Sequence, residues 1–188
     1  MTHDRHQLPS SLLAPVDDGA CAHLLGLSMP DLRLESTSGE LLGLREATRR
    51  SVLIYVYPRT GVPGVEMPEG WDSIPGARGC TAQSCSYRDD YSALQELGVD
   101  VYGLSTQSTD DQREFTAREQ VPFPLLSDPA RALGSVLRLP TFTAGGDVLY
   151  RRVTLIIEAG EIVYVRYPVF PPDTDAHVSV GWLRERRA

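Results

Sequence analysis

In Gly79-Cys80-Thr81-Ala82-Gln83-Ser84-Cys85-Ser86-Tyr87-Arg88-Asp89, two thiols stand five positions apart where a glycine-rich loop gives way to a helical pattern. From Cys80, the residues Tyr87, Tyr91 and Leu94 recur at helical spacing and form one apolar stripe. Cys80 opens that stripe. Cys85 falls in line with Asp89, Ser92 and Glu96, so the pattern aims one thiol at the protein and the other at solvent. A cysteine in a first helical turn is close to free backbone N–H groups and to the positive end of the helix dipole, both of which favour thiolate, the reactive form.

A second pair of interest is Arg151-Arg152 in the apolar run Val148 to Ile157. Neighbours on a strand face opposite ways, so one of the two arginines can reach a site while the other is solvated. A guanidinium is always charged and offers several donors in a fixed fork, which suits an ionised sulfur. His3, His6, His23 and His177 are scattered and, with the cysteines, give no zinc set of paired close spacings. The loop before Cys80 lacks the Gly-Lys-Ser/Thr ending of a phosphate loop. Tyr102 and Trp182 read as core. Trp71 either covers a Cys80 pocket or anchors its own loop. Cys21, between Ala20 and Ala22, reads as a buried or idle thiol, with an alternative resolving partner as the other possibility.

The elements that must position these residues alternate in type. Residues 1–28 read as an irregular arm, followed by a short strand at Leu32 and Leu34 and a turn at Gly39. Ser51 to Tyr57 is a continuous β-branched and aromatic run, the pattern of a strand buried on both faces. Pro58 ends it, and Arg59 to Arg78, rich in proline and glycine, fits no regular element. A loop of that length inside a compact domain is uncommon and often functional. A helix from about Cys80 to Leu97 follows, with Gly98 as C-cap. Then come a strand at Val99–Ser105, a helix near Asp110–Arg118, a short strand at Phe123–Leu126 and a short helix from Pro129 to Val136. Strands at Val148–Ile157 and Ile162–Tyr167 join at the turn Glu158-Ala159-Gly160-Glu161. A helix from Asp173 to Arg187 has an acidic start and a basic end. The sequence of types is that of an α/β fold with a central mixed sheet flanked by helices. Cys80 then lies at the carboxyl end of the sheet, where such folds build their sites.

With 188 residues, 41% hydrophobic and 23% charged, the chain supports one domain with a full core. A net charge of -7 argues against nucleic acid and anionic membranes as partners. Met1 to Asp18 has no sustained apolar run, so neither a secretory signal nor a membrane span is read there. Three sparse cysteines are no disulfide scaffold. They fit a reducing cytoplasm, where a close pair does chemistry or binds metal.

Gly79-Cys80-Thr81-x-Gln83-x-Cys85-x-x-Arg88-Asp89 resembles the active-site helix of the Q-type peroxiredoxins, also called bacterioferritin-comigratory proteins. The likeness extends from about Gly26 onward. It includes Tyr57-Pro58, Leu104-Ser105-Thr106, Phe123-Pro124-Leu125-Leu126-Ser127-Asp128 and Arg152-Val153-Thr154-Leu155-Ile156-Ile157. The resemblance implies a thioredoxin-like fold over residues 29–188 and a thiol peroxidase needing no cofactor and no metal. It makes Cys80 the peroxidatic cysteine, Cys85 the resolving cysteine, and Arg152 the arginine that holds thiolate and peroxide oxygens, with Pro58 and Thr81 beside the substrate. A thioredoxin-like dithiol would be the reductant and the enzyme would be monomeric. The pattern departs in one place. The family's Pro-x-x-x-Thr/Ser-x-x-Cys has seven residues from proline to cysteine, whereas Pro58 precedes Cys80 by 22. Residues 59–79 thus carry an insertion, and the position three before Cys80 is Ala77, with no hydroxyl. Val62-Pro63-Gly64-Val65 matches the family's Thr-Pro-Gly-Cys with valine at both functional positions. The hydroxyl is then either missing or supplied from elsewhere, by Thr60 as first choice or by Thr81.

If the two cysteines pair, geometry adds a condition. Five residues of intact helix separate the Cα atoms by roughly 8–9 Å, beyond the limit of about 7 Å for a disulfide, so the first turns must unwind. Two other readings remain beside the peroxidase: a thiol–disulfide switch or oxidoreductase without fast peroxide turnover, and a non-catalytic peroxiredoxin-like domain that binds a partner through its inserted loop.

Overall fold

The computed structural model describes residue 8 and residues 12–188; His3, His6 and the start of the N-terminal arm lie outside the described residues. A seven-stranded mixed sheet forms the centre. Its strands are β1 (Arg33–Ser36), β2 (Leu41–Gly43), β3 (Ser51–Val56), β4 (Val99–Ser105), β5 (Leu125–Ser127), β8 (Val153–Glu158) and β9 (Glu161–Arg166), in spatial order β2-β1-β5-β4-β3-β8-β9. β3 runs parallel to β4, and β4 to β5, while β1, β2, β8 and β9 pair antiparallel. Helices α1 (Leu44–Ala47), α2 (Cys80–Asp89), α3 (Tyr91–Glu96), α4 (Thr109–Glu119), α5 (Ala132–Leu137) and α6 (Asp175–Arg187) complete the layers.

β3 shows why its sequence reads as one apolar run. Val52, Ile54 and Val56 pack into one core, and Leu53 and Tyr55 into a second that also takes Tyr57 and Cys80. Alternate side chains of a strand face opposite ways, so a sheet covered on both sides needs apolar residues at every position. The β8–β9 hairpin turns at Ala159 (φ 51°) and Gly160 (φ 82°), the left-handed pair that a tight hairpin requires. Ahead of β1, Cys21, Leu24 and Met29 are buried in the main core. Among the described residues no helix is long and apolar enough to cross a membrane.

Three expectations change. The helix expected from Cys80 to Leu97 is interrupted at Asp90, whose backbone (φ -93°, ψ 7°) leaves the helical region, giving α2 and α3. The strand expected at Val148–Ile157 is two strands. Gly145 (φ 59°) and Gly146 (φ 87°) turn a hairpin that pairs β6 (Thr141–Ala144) with β7 (Asp147–Tyr150) in a separate small sheet. Arg151 and Arg152 lie in the passage from that hairpin into β8 rather than on a strand. The third concerns Cys85: it is buried, like Cys80, because α2 is covered by the sheet and α6 on one side and by Glu119 of α4 on another.

Candidate active site

Cys80 is the first residue of α2, directly after Gly79, whose backbone at φ 103° lies where a side chain is strained. A Cβ at Gly79 would also stand 2.5 Å from Pro172 Cγ, so glycine is what lets residues 170–174 press on the start of α2. Three groups meet the sulfur. Arg152 Nη2 donates to Sγ at 3.1 Å, the backbone N–H of Arg59 donates at 3.4 Å, and the thiol contacts the Ala77 carbonyl at 3.6 Å.

Arg152 is itself buried and held on several sides. Nη2 donates to the carbonyls of Ala77 and Arg78, both at 3.0 Å, and Nη1 donates to Gln83 Oε1 at 2.6 Å. Among the described residues Nε has no hydrogen-bond partner. Gln83 passes the contact on, its Nε2 donating to Asp175 Oδ2 at 2.8 Å. Thus the carbonyl of Ala77, three residues before Cys80, helps seat the arginine.

An open cavity of about 600 Å³ lies over Cys80. Its wall comes largely from the loop 59–79, through Val62, Val65, Met67, Trp71 and Arg78, with Thr81 of α2. Trp71 therefore fills both roles that its sequence position left open. It lines the cavity and also anchors the loop 59–79 in a small core with Ala77, Ala144 and Leu149, its ring centroid 6.0 Å from that of Phe142. Arg152 reaches the sulfur from the protein side and forms no part of this wall; the cations on the wall are Arg59 and Arg78, paired with Asp147 (3.1 Å) and Asp72 (2.8 Å).

The remaining candidates fall as follows. Pro58 is buried at the end of β3, as the chain leaves the sheet. Thr60 is beside the site, but its hydroxyl donates to Gln107 Oε1 at 3.0 Å, its N–H donates to the same oxygen at 2.8 Å, and Gln107 Nε2 returns a bond to the Thr60 carbonyl at 3.2 Å. The group that meets the sulfur from this loop is the amide of the preceding residue, Arg59, which no side-chain pattern reveals. Cys85, still within unbroken α2, directs its thiol to Glu119 Oε2 at 3.9 Å, and both cysteines are reduced. Burial pushes the Cys85 thiol up to about 11, Glu119 and Asp89 adding to the rise and Arg88 and Arg118 opposing it. Burial likewise pushes Cys21 up to about 12. Beneath α2, Tyr55 stacks on Tyr87 at 4.5 Å and donates from its hydroxyl to Ser84 Oγ at 3.1 Å. Sequence reasoning missed Asp175, read only as an acidic helix start, and Gln107, which carried no signal.

Fold and site together place the chain in the thioredoxin-like class, with a cysteine at a helix N-terminus seated on an arginine. Within that class it belongs to the Redoxin family, whose sequence profile matches residues 24–179. Similar proteins include peroxiredoxin bcp1 of Schizosaccharomyces pombe, 30% identical over 68% of this chain and 57% of its own length. Peroxiredoxin Q of rice chloroplasts is 27% identical over 79% and 61% respectively, and peroxiredoxin Bcp of Escherichia coli 28% identical over 83% and 92%. The chain thus spans under two thirds of the yeast and rice relatives. Among solved structures, peroxidoxin BcpB of Mycobacterium tuberculosis superposes with a TM-score of 0.71 at 22% identity, covering 87% of this chain and 98% of that one. A Xylella fastidiosa peroxiredoxin Q mutant gives 0.72 at 18%, covering 87% and 97%. These likenesses agree with the Q-type resemblance read from the helix motif.

Proposed function

We propose that the protein is a thiol-dependent peroxidase that reduces hydrogen peroxide or organic hydroperoxides. The observation that carries the reading is the convergence of Arg152 Nη2 and the Arg59 N–H on Cys80 Sγ at the floor of an open cavity. Both donors stabilise negative charge on the sulfur and on an oxygen leaving it, and both are fixed in advance by buried partners. The Cys80 thiolate attacks the terminal oxygen of ROOH. The O–O bond breaks, an S–O bond forms, and the leaving oxygen takes a proton to depart as water or alcohol, with Cys80 left as a sulfenic acid. Cys85 then attacks that sulfur, expelling water and forming the Cys80–Cys85 disulfide. A thioredoxin-like dithiol returns both sulfurs to thiols by two-electron reduction. The reductant and the monomeric state enter on family resemblance, and the reducing cytoplasm on the sparse cysteines.

In this reading Thr60 acts one step back from the sulfur. Its reciprocal bonds to Gln107 fix the loop that presents the Arg59 N–H. Thr81, on the cavity wall beside Cys80, and Pro58, which turns the chain out of β3, shape the approach for substrate.

Resolution requires the helix to open. Cys80 and Cys85 share an unbroken α2, so its first turns must unwind before a disulfide can close. The second reading, a slow thiol–disulfide switch, is favoured by one observation: the Thr60 hydroxyl is committed to Gln107. Stopped-flow mixing of the reduced protein with hydrogen peroxide or cumene hydroperoxide separates the two. A peroxidase loses its Cys80 thiol far faster than free cysteine at the same pH, and Cys80→Ser abolishes that phase. Oxidation at the free-cysteine rate leaves the switch or the non-catalytic binding domain.

A further inference from the structure

Asp175, in the first turn of α6, is fully buried and accepts from every side. Its Oδ2 takes Gln83 Nε2 at 2.8 Å, the Tyr87 hydroxyl at 2.9 Å and the Thr154 hydroxyl at 2.6 Å; Oδ1 takes Arg166 Nη1 at 2.9 Å. Gln83, equally buried, bridges this carboxylate to the guanidinium that touches Cys80.

We propose that Asp175 is a positioning residue for Cys80, acting through Gln83 and Arg152. A glutamine amide has a sense. A carboxylate only accepts, so facing Asp175 forces the NH₂ of Gln83 onto it and leaves Oε1 for Arg152 Nη1. Arg152, pulled by Oε1 and by the carbonyls of Ala77 and Arg78, then presents Nη2 to Sγ. Arg166 pins the other carboxylate oxygen and supplies the compensating charge that a buried aspartate needs.

Asparagine at 175 cannot reproduce this. With its oxygen towards Gln83, its NH₂ faces the Arg166 guanidinium. With its NH₂ towards Gln83, the glutamine turns over and sets its own NH₂ against Arg152. The first sets two donors against each other and gives up the bond to Arg166, so the second prevails, and there the support of Arg152 is broken although no group touching the sulfur has changed. The double variant Gln83→Glu with Asp175→Asn restores the order of donors and acceptors towards Arg152 and Arg166, with the Tyr87 and Thr154 hydroxyls turning to accept. The carboxylate introduced at position 83 accepts from Arg152 on one side and from the amide introduced at position 175 on the other. The oxygen of that amide still accepts from Arg166.

The inference rests on Cys80 being the reactive thiol. The experiment is iodoacetamide alkylation of Cys80, resolved by peptide mass mapping across a pH series. It uses the full-length wild type, Asp175→Asn, Gln83→Glu and the double variant, each checked for folding by circular dichroism. The expected result is an alkylation rate at neutral pH about tenfold lower in Asp175→Asn, with the pH–rate profile moved to higher pH, and recovery of most of the loss in the double variant. If Asp175→Asn does not fold, the comparison of Gln83→Glu with the double variant carries the test, because only the pairing of the two changes restores the chain of bonds. A folded Asp175→Asn with wild-type rate and profile, or a double variant no faster than Gln83→Glu, overturns the proposal. Wild-type Cys80 reacting no faster than free cysteine overturns the reading of the site as well.

Discussion

Arg152 seats Cys80 from beneath: one nitrogen, Nη2, lies 3.1 Å from Sγ and 3.0 Å from the carbonyls of both Ala77 and Arg78. The opposite nitrogen, Nη1, is spoken for by Gln83. This use of a planar fork leaves no equivalent for lysine, whose single ammonium cannot span Gln83 and the sulfur together. Arg152→Lys is expected to lower kcat/KM for peroxide by about 10²-fold, in the range for loss of one preorganised donor to developing charge. Steady-state kinetics with a dithiol reductant in excess measure it.

Cys85 is expected to be inert while α2 is intact. Burial raises its thiol from an ordinary 9.0 to about 11, so below that pH it is protonated in the folded protein. At pH 7 the thiolate fraction is roughly 10⁻⁴, against about 10⁻² for an unburied thiol, and alkylation of reduced native Cys85 should be about a hundredfold slower than in the unfolded chain. The rate should climb with pH up to about 11. The sign for stability is the same: burial of the neutral thiol helps the fold below 9.0, and that contribution is lost as pH rises through 11. Timed alkylation with mass mapping checks the rate, and denaturant titration at rising pH checks the linkage.

Replacing Cys85 by serine should leave the first oxidation step within about twofold of wild type while removing the disulfide. Cys80 then stops at sulfenic acid and moves on to sulfinic acid in excess peroxide. Trapping with a sulfenic-acid-specific dione, followed by intact mass, reports both species. A Cys80–Cys21 disulfide in this variant would show that Cys21, buried in the main core, can substitute for Cys85.

Gly79→Ala tests the joint between the loop 59–79 and α2. The backbone there is at φ 103°, and the added Cβ would meet Pro172 Cγ at 2.5 Å. Left-handed backbone strain alone costs about 1–2 kcal/mol, and the steric contact adds to it. The variant should melt lower and react more slowly with peroxide, because Cys80 is the next residue. Differential scanning calorimetry and stopped-flow oxidation measure the two effects separately.

Much of the fold was legible because its central strands are buried on both faces. Ser51–Val56 shows as a continuous apolar run, Val99–Ser105 as a strand interrupted only by the exposed Asp100, and Glu158 to Glu161 as a turn. The small β6–β7 hairpin was missed, although Gly145-Gly146 is a hairpin signal, because the apolar run from Val148 to Ile157 reads as one strand until β6 claims its first part. At the site, Cys80 and Arg152 were readable from residue type and family spacing. The burial of Cys85 was not, since helical periodicity describes one covered face and α2 is covered on more than one. The Arg59 N–H has no side-chain signature at all. Asp175 is 95 residues from Cys80 in sequence, and only the packing of α6 against α2 brings its carboxylate to Gln83.

In the proposed cycle peroxide oxidises Cys80 and Cys85 resolves it within the same helix. The most direct test mixes reduced protein with one equivalent of hydrogen peroxide, quenches within a second by acid and alkylation, and maps the peptides. Rapid loss of both thiols, a peptide carrying the Cys80–Cys85 disulfide, and Cys21 recovered alkylated are expected. Thiols lost no faster than free cysteine, or Cys80 oxidised while Cys85 remains a thiol, would contradict the cycle.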